Sequence, residues 1–141
     1  PAVAEYSGGA GVHRLTSMGW TLWDAATHAV TGNFRVPVDF VSGLTIFAVV
    51  IAGAAGNLVC ENISLSGANG EAWNAHTDST GVLTIAVGDD TRAEVCGITP
   101  AAVAVGDVFS LEFLRYGAHA SDTINETVSF LGWLVSYTAD S

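Results

Sequence analysis

Hydrophobic and polar positions alternate in short runs along most of the chain, and clusters of Gly, Pro, Asn and Asp interrupt them at close intervals. Val12 to Trp23 repeats with period two, placing Val12, Met18, Trp20 and Leu22 on one side and Thr21 and Trp23 on the other. Further strands are predicted over Phe34–Val38, Leu44–Ile51, Leu58–Leu65, Val82–Val87, Ala93–Ile98, Val108–Tyr116 and Val128–Tyr137, about eight in all. Pro37, Ser42-Gly43, Gly53 to Asn57, Gly88-Asp89-Asp90, Thr99-Pro100 and Gly106-Asp107 separate them as turn signals. Asp24 to Thr31 is Ala-rich and fits either a helical turn or a loop. The two longest apolar strands, Val108–Tyr116 and Val128–Tyr137, flank a polar excursion and are expected to form an antiparallel pair at the centre. Short strands at this spacing with almost no helical period predict an all-β antiparallel sandwich or a barrel.

Residues 1–11 (PAVAEYSGGAG) are small, Gly-rich and aperiodic, and read as a flexible N-terminal arm with Tyr6 as a possible anchor on a neighbour. Residues 12–141 then form one sandwich domain, the expectation for a chain of 141 residues. Ser66 to Gly81 (SGANGEAWNAHTDSTG) is the one long irregular stretch.

Charge sharpens this outline. The chain carries 14 acidic residues against 4 arginines, a net charge of -10, and contains no lysine. No basic patch is present to release counterions from phosphate, so neither nucleic acid nor an anionic membrane is an expected partner. Only 13% of residues are charged and 50% are hydrophobic. That surplus predicts apolar surface outside the chain's own core, of the kind that oligomers cover. No run reaches the roughly 18 apolar residues that span a membrane; the closest, Leu44 to Ala55, contains Gly53 and suits a buried strand. No basic, apolar leader precedes Pro1, which is consistent with removal of an initiator Met, so synthesis in the cytoplasm is expected. Cys60 and Cys96 then read as buried free thiols, or as a disulfide if their strands face each other across the sandwich.

Little in the chain carries chemistry. The long loop holds Glu71, Trp73, His76 and Asp78. His76 and Asp78 supply two metal donors at i, i+2 with no third at a recognisable spacing, so no metal is assigned. No G-x-S-x-G follows a strand, and the strand carboxylates Glu61, Glu94 and Glu112 read as partners of Arg35 or Arg115 rather than as a catalytic pair. Glu61 shares its parity with Val59, Ile63 and Leu65 and is expected to lean inward. No enzyme activity and no cofactor is predicted. Trp73 remains as a platform for a sugar ring, or as a cap folded back over the end of the sandwich. Trp20, Trp23 and Trp133 lie in strand-like runs and read as core or interface.

Phe34-Arg35-Val36-Pro37-Val38-Asp39-Phe40-Val41-Ser42-Gly43-Leu44-Thr45-Ile46 resembles the opening of β-sandwich modules common in tailed-phage virion proteins. Gly56 to Glu61, Ala104 to Leu111 with Arg115, Ser121-Asp122-Thr123 and the closing Phe130 to Tyr137 are similar to later strands and turns of that group. The resemblance spans most of residues 33–137 and consists of structural turns and strands. It implies a jelly-roll-type sandwich in a virion structural protein, foremost a capsid decoration or cement protein: a homotrimer seated on the major capsid protein lattice, located in the virion. A tail or fibre module that binds a receptor or carbohydrate is the alternative. Pro1, Val3, Tyr6, Trp20 and Trp23 would make the assembly contacts, Trp73, His76 and Asp78 a ligand platform, and Pro37, Gly43, Gly106 and Asp107 the turns.

Overall fold

The computed structural model describes residues 5–8, 15–16 and 19–140. Eleven strands are present among them: β1 (Glu5–Gly8), β2 (Leu15–Thr16), β3 (Gly19–Leu22), β4 (Thr27–Arg35), β5 (Phe40–Ala52), β6 (Gly56–Gly67), β7 (His76–Ser79), β8 (Leu83–Val87), β9 (Arg92–Ile98), β10 (Val108–Tyr116) and β11 (Val128–Ala139). They form two antiparallel sheets. One runs β1-β4-β10-β6-β7, with β8 on β6 as well, and the other runs β2-β3-β11-β5-β9.

The pairing has a simple logic. Setting aside the short β1, β2 and β7, the remaining eight strands pair from the outside in: β3 with β11, β4 with β10, β5 with β9, and β6 with β8. That is one long antiparallel ribbon. Rolled up, it brings β11 against β5 and β10 against β6, giving the orders β3-β11-β5-β9 and β4-β10-β6-β8. This is the jelly roll, an all-β sandwich.

Several local expectations change. The strands β10 and β11 do not pair; each is central in its own sheet, because residues 117–127 carry the chain from one sheet to the other. The Ala-rich stretch at Asp24 to Thr31 is neither a helical turn nor a loop beyond Ala26, but opens β4, which ends at Arg35 before the Pro37 turn. Within the segment expected as an arm, Glu5–Gly8 lies as β1 along His28–Thr31. Much of the long loop is strand, since β6 continues to Gly67 and β7 returns from His76, leaving 68–75 as the connection.

The inward face of β6 is also the reverse of the expected one. Leu58, Cys60, Asn62, Ser64 and Ser66 are buried, while Glu61, Ile63 and Leu65 are half-covered on the outer face. Asn62 makes this possible by satisfying its neighbours. Its Oδ1 accepts from Trp133 Nε1 at 3.0 Å and its Nδ2 donates to the Cys96 carbonyl at 3.0 Å, tying the two sheets together. A buried polar group so paired escapes most of its desolvation penalty.

The core lies between the sheets. Phe113 stacks on Phe130 at 5.3 Å between centroids, and Phe130 meets Trp133 edge-on at 4.7 Å. A second cluster of Val36, Leu44, Ile46, Phe109 and Leu111 fills the other end, with Phe34 stacked on Phe109. Two bulges set what faces inward. Leu131 is extra on β11 between Phe130 and Gly132, which lets both Phe130 and Trp133 point into the core. On β9 three residue steps oppose two on β5, and Val95 and Cys96 are consequently both buried.

Candidate functional site

The connection 68–75 is an ordered turn. Ala68 N donates to Glu71 Oε2 and Glu71 N donates back to the Ala68 carbonyl, both at 3.0 Å, and Ala75 N donates to the Ala72 carbonyl. Glu71 also lies 3.5 Å from His76 Nε2. The turn is packed so closely on the end of β6 that a Cβ on Gly67 would stand 2.2 Å from the Ala72 carbonyl oxygen. Its Trp73 is 67% exposed, so the indole does not fold back to cap the core but projects into solvent from a polar, hydrogen-bonded support.

His76 and Asp78 follow on β7, half-buried and opposite Ser66 and Ser64 of β6. They share one face of the strand, but among the described residues no three His, Cys, Asp or Glu side chains gather as a metal site. Thr77 and Ser79 point the other way, onto the outer face of the sheet. There Glu61 accepts hydrogen bonds from Ser79 Oγ and Tyr116 Oη, both at 2.6 Å. Partial burial and the bond to Glu61 push the Tyr116 phenol up to about 12. Farther along the same face, Ser110 Oγ donates to Asn33 Oδ1 at 2.9 Å as a separate pair. This outward polar row was missed in the sequence because Glu61 was assigned inward; its spacing from Tyr116 becomes meaningful only once β10 is known to pair with β6.

The remaining candidates fall in different places. Pro1 and Val3 lie outside the described residues, as does the Tyr6 side chain. Trp20 packs against the main core, and Trp23, at the end of β3, is 44% exposed. Pro37 accepts from Phe40 N in the turn before β5, Gly43 has φ +71 within β5, and Gly106 has φ +85. Asp107 caps that last turn, its Oδ2 accepting from Ala104 N at 2.8 Å. Glu94 is not near Glu61; it pairs with Arg92 on the opposite sheet at 2.9 Å. Arg115 takes Asp122 as its carboxylate, and Arg35 donates to the Gly106 carbonyl. A cleft of about 230 Å³ between Phe40–Leu44 and Thr99–Val103 has no titratable lining.

The outer face of the second sheet has another character. Leu131 and Leu134 are more than a third exposed there, beside the half-covered Phe47 and Ile51. Arg92 and Glu94, on the edge strand β9, are its paired charges.

No protein-family model matches the chain, and no curated protein matches it. Among solved structures it is similar to the carbohydrate-binding module TmCBM61 in complex with beta-1,4-galactotriose, with TM-score 0.47 and 9% identity over 96% of this chain and 88% of that one.

Proposed function

We propose that this chain is a carbohydrate-recognition module in which the Trp73 indole stacks on a sugar ring and Glu71 and His76 hydrogen-bond to its hydroxyls. The observation that carries the reading is the exposure of Trp73 on an ordered turn. An indole left in water contributes nothing to folding, and a fixed one loses little entropy when a flat apolar ring face covers it. Neighbouring donors and acceptors fix orientation, as ligand sites require. The test is titration of the chain with a panel of soluble polysaccharides, followed by isothermal calorimetry and tryptophan emission. Binding should shift emission to the blue, and Trp73→Ala should weaken it tenfold or more, about 1.4 kcal/mol. Equal binding by wild type and Trp73→Ala, or none to any glycan, refutes the assignment.

The outer face of the second sheet favours a second reading, a subunit of an assembly such as a virion shell. With a net charge of -10, two copies repel except where a face carries little net charge, and Leu131, Leu134, Phe47 and Ile51 supply such a face. A second copy of the chain is the occupant. Light scattering across a dilution series should find an oligomer that Leu134→Glu dissociates; a monomer at every concentration removes this reading.

A further inference from the structure

Cys60 sits on β6 and Cys96 on β9, the edge strand of the opposite sheet. Both are buried, and their sulfurs stand 2.8 Å apart across the sandwich, one thiol donating to the other. A disulfide bond is about 2.05 Å long, so only a small approach separates contact from bond. Cys96 is held there by unusual backbone. It occupies the β9 bulge at φ +52, a left-handed conformation that a non-Gly residue adopts at a cost, and the Asn62 amide secures its carbonyl.

We infer that Cys60 and Cys96 are a disulfide-forming pair, a modification site that can lock β9 to β6 across the core. Of the two thiols, Cys96 is the one an oxidant reaches first, because β9 ends its sheet whereas β6 lies between β10 and its partners β7 and β8. The side-chain contact between them lowers the Cys96 pKa and raises that of Cys60, which burial raises further. With a small-molecule disulfide as oxidant, the Cys96 thiolate attacks one sulfur and expels a thiolate, leaving a mixed disulfide. Cys60 then gives up its proton and attacks the Cys96 sulfur, expelling the second thiolate. Two protons and two electrons leave the protein, and the oxidant is reduced to two thiols. Access comes through the edge: among the described residues no strand pairs with the far side of β9, and local opening of an edge strand exposes the pair.

The test uses the folded wild-type chain in oxidised glutathione, quenched by alkylation. The expected intact mass falls by two hydrogens with no glutathione retained, peptide mapping links Cys60 to Cys96, and Tm rises over the reduced chain. Cys60→Ser should instead trap glutathione on Cys96. Thiols that stay free in the folded chain but oxidise in denaturant, a wild-type adduct that persists on Cys96, or a Tm that falls on oxidation would each overturn the assignment.

Discussion

Arg115 and Asp122 form an ion pair at 3.0 Å with both side chains essentially removed from solvent, 0% and 1% exposed. All five N–H groups of the guanidinium are used. Besides Asp122 they reach the carbonyls of Leu22, Ile124 and Glu126. Asp122 in turn accepts from Val59 N and Ile124 N. One side chain of β10 thus fixes the end of β3 and the crossover into β11, and its partner reaches β6. Arg115→Met leaves the Asp122 carboxylate buried without its counter-charge, which costs about 3–5 kcal/mol. Urea denaturation should show that loss in the midpoint with an unchanged slope. A change under about 1 kcal/mol would mean that water replaces the guanidinium without penalty.

Asn62 poses a similar question within the core. Asn62→Ala strips partners from Trp133 Nε1 and from the Cys96 carbonyl, at about 1–3 kcal/mol for each group left bare. Trp133→Phe removes one of those groups itself. The two changes together should therefore cost less than their sum, a coupling that a double-mutant cycle in denaturant reads directly. Simple additivity would show that the indole bond to Asn62 contributes nothing net.

The turns explain how much of this fold was legible. Pro37, Gly106 and Asp107 advertise breaks through local chemistry alone, so the sandwich class follows from spacing. The strand number does not, because eleven strands stand where about eight were expected, with the short β1, β2 and β7 not set apart by any turn signal. Facing direction does not. Alternation along β6 fixes a period of two but not which parity points in, and Asn62 is buried because Trp133, 71 positions away, meets it. Bulges at Leu131 and Cys96 then shift parity where the residues give no sign of it. The pairing expected of β10 with β11 failed for a related reason: 117–127 offers no local signal that Arg115 and Asp122 will steer it across to the other sheet. Trp73 was visible as a candidate, while its exposure depended on the packing of Gly67.

Tyr116 gives a spectroscopic handle on the outer face. Burial first, and then donation to the Glu61 carboxylate, hold its phenol neutral up to about 12. An unfolded tyrosine ionises near 10, so the linked stability is intact below about pH 10 and is lost as pH climbs to about 12. Ultraviolet titration should show Tyr116 ionising with a midpoint near 12, and Glu61→Gln should move that midpoint down. A late phase unchanged by Glu61→Gln would assign the shift to burial alone. The direction for Tyr137 is also upward, from its bond to Asp39, so Asp39→Asn provides the control that separates the two phases.

Gly67 links packing to the proposed ligand platform. Its Cα approaches the Ala72 carbonyl so closely that an added methyl would meet backbone at 2.2 Å, and no rotamer change relieves that contact. The turn must shift instead. Gly67→Ala should cost about 1–3 kcal/mol, the usual range for overpacking, and should move Trp73 and loosen the Ala68–Glu71 bonds that hold it. Hydrogen exchange should rise within 68–75 while β10 and β6 keep their protection. Trp73→Ala, by contrast, removes an exposed side chain and should change stability by less than about 0.5 kcal/mol. If the indole is the platform, both variants weaken glycan binding although only one loses stability. Binding that survives Gly67→Ala with exchange elevated in the turn would show that the ligand tolerates a mobile Trp73, and the polar row of Glu61, Tyr116 and Ser79 would become the surface to mutate next.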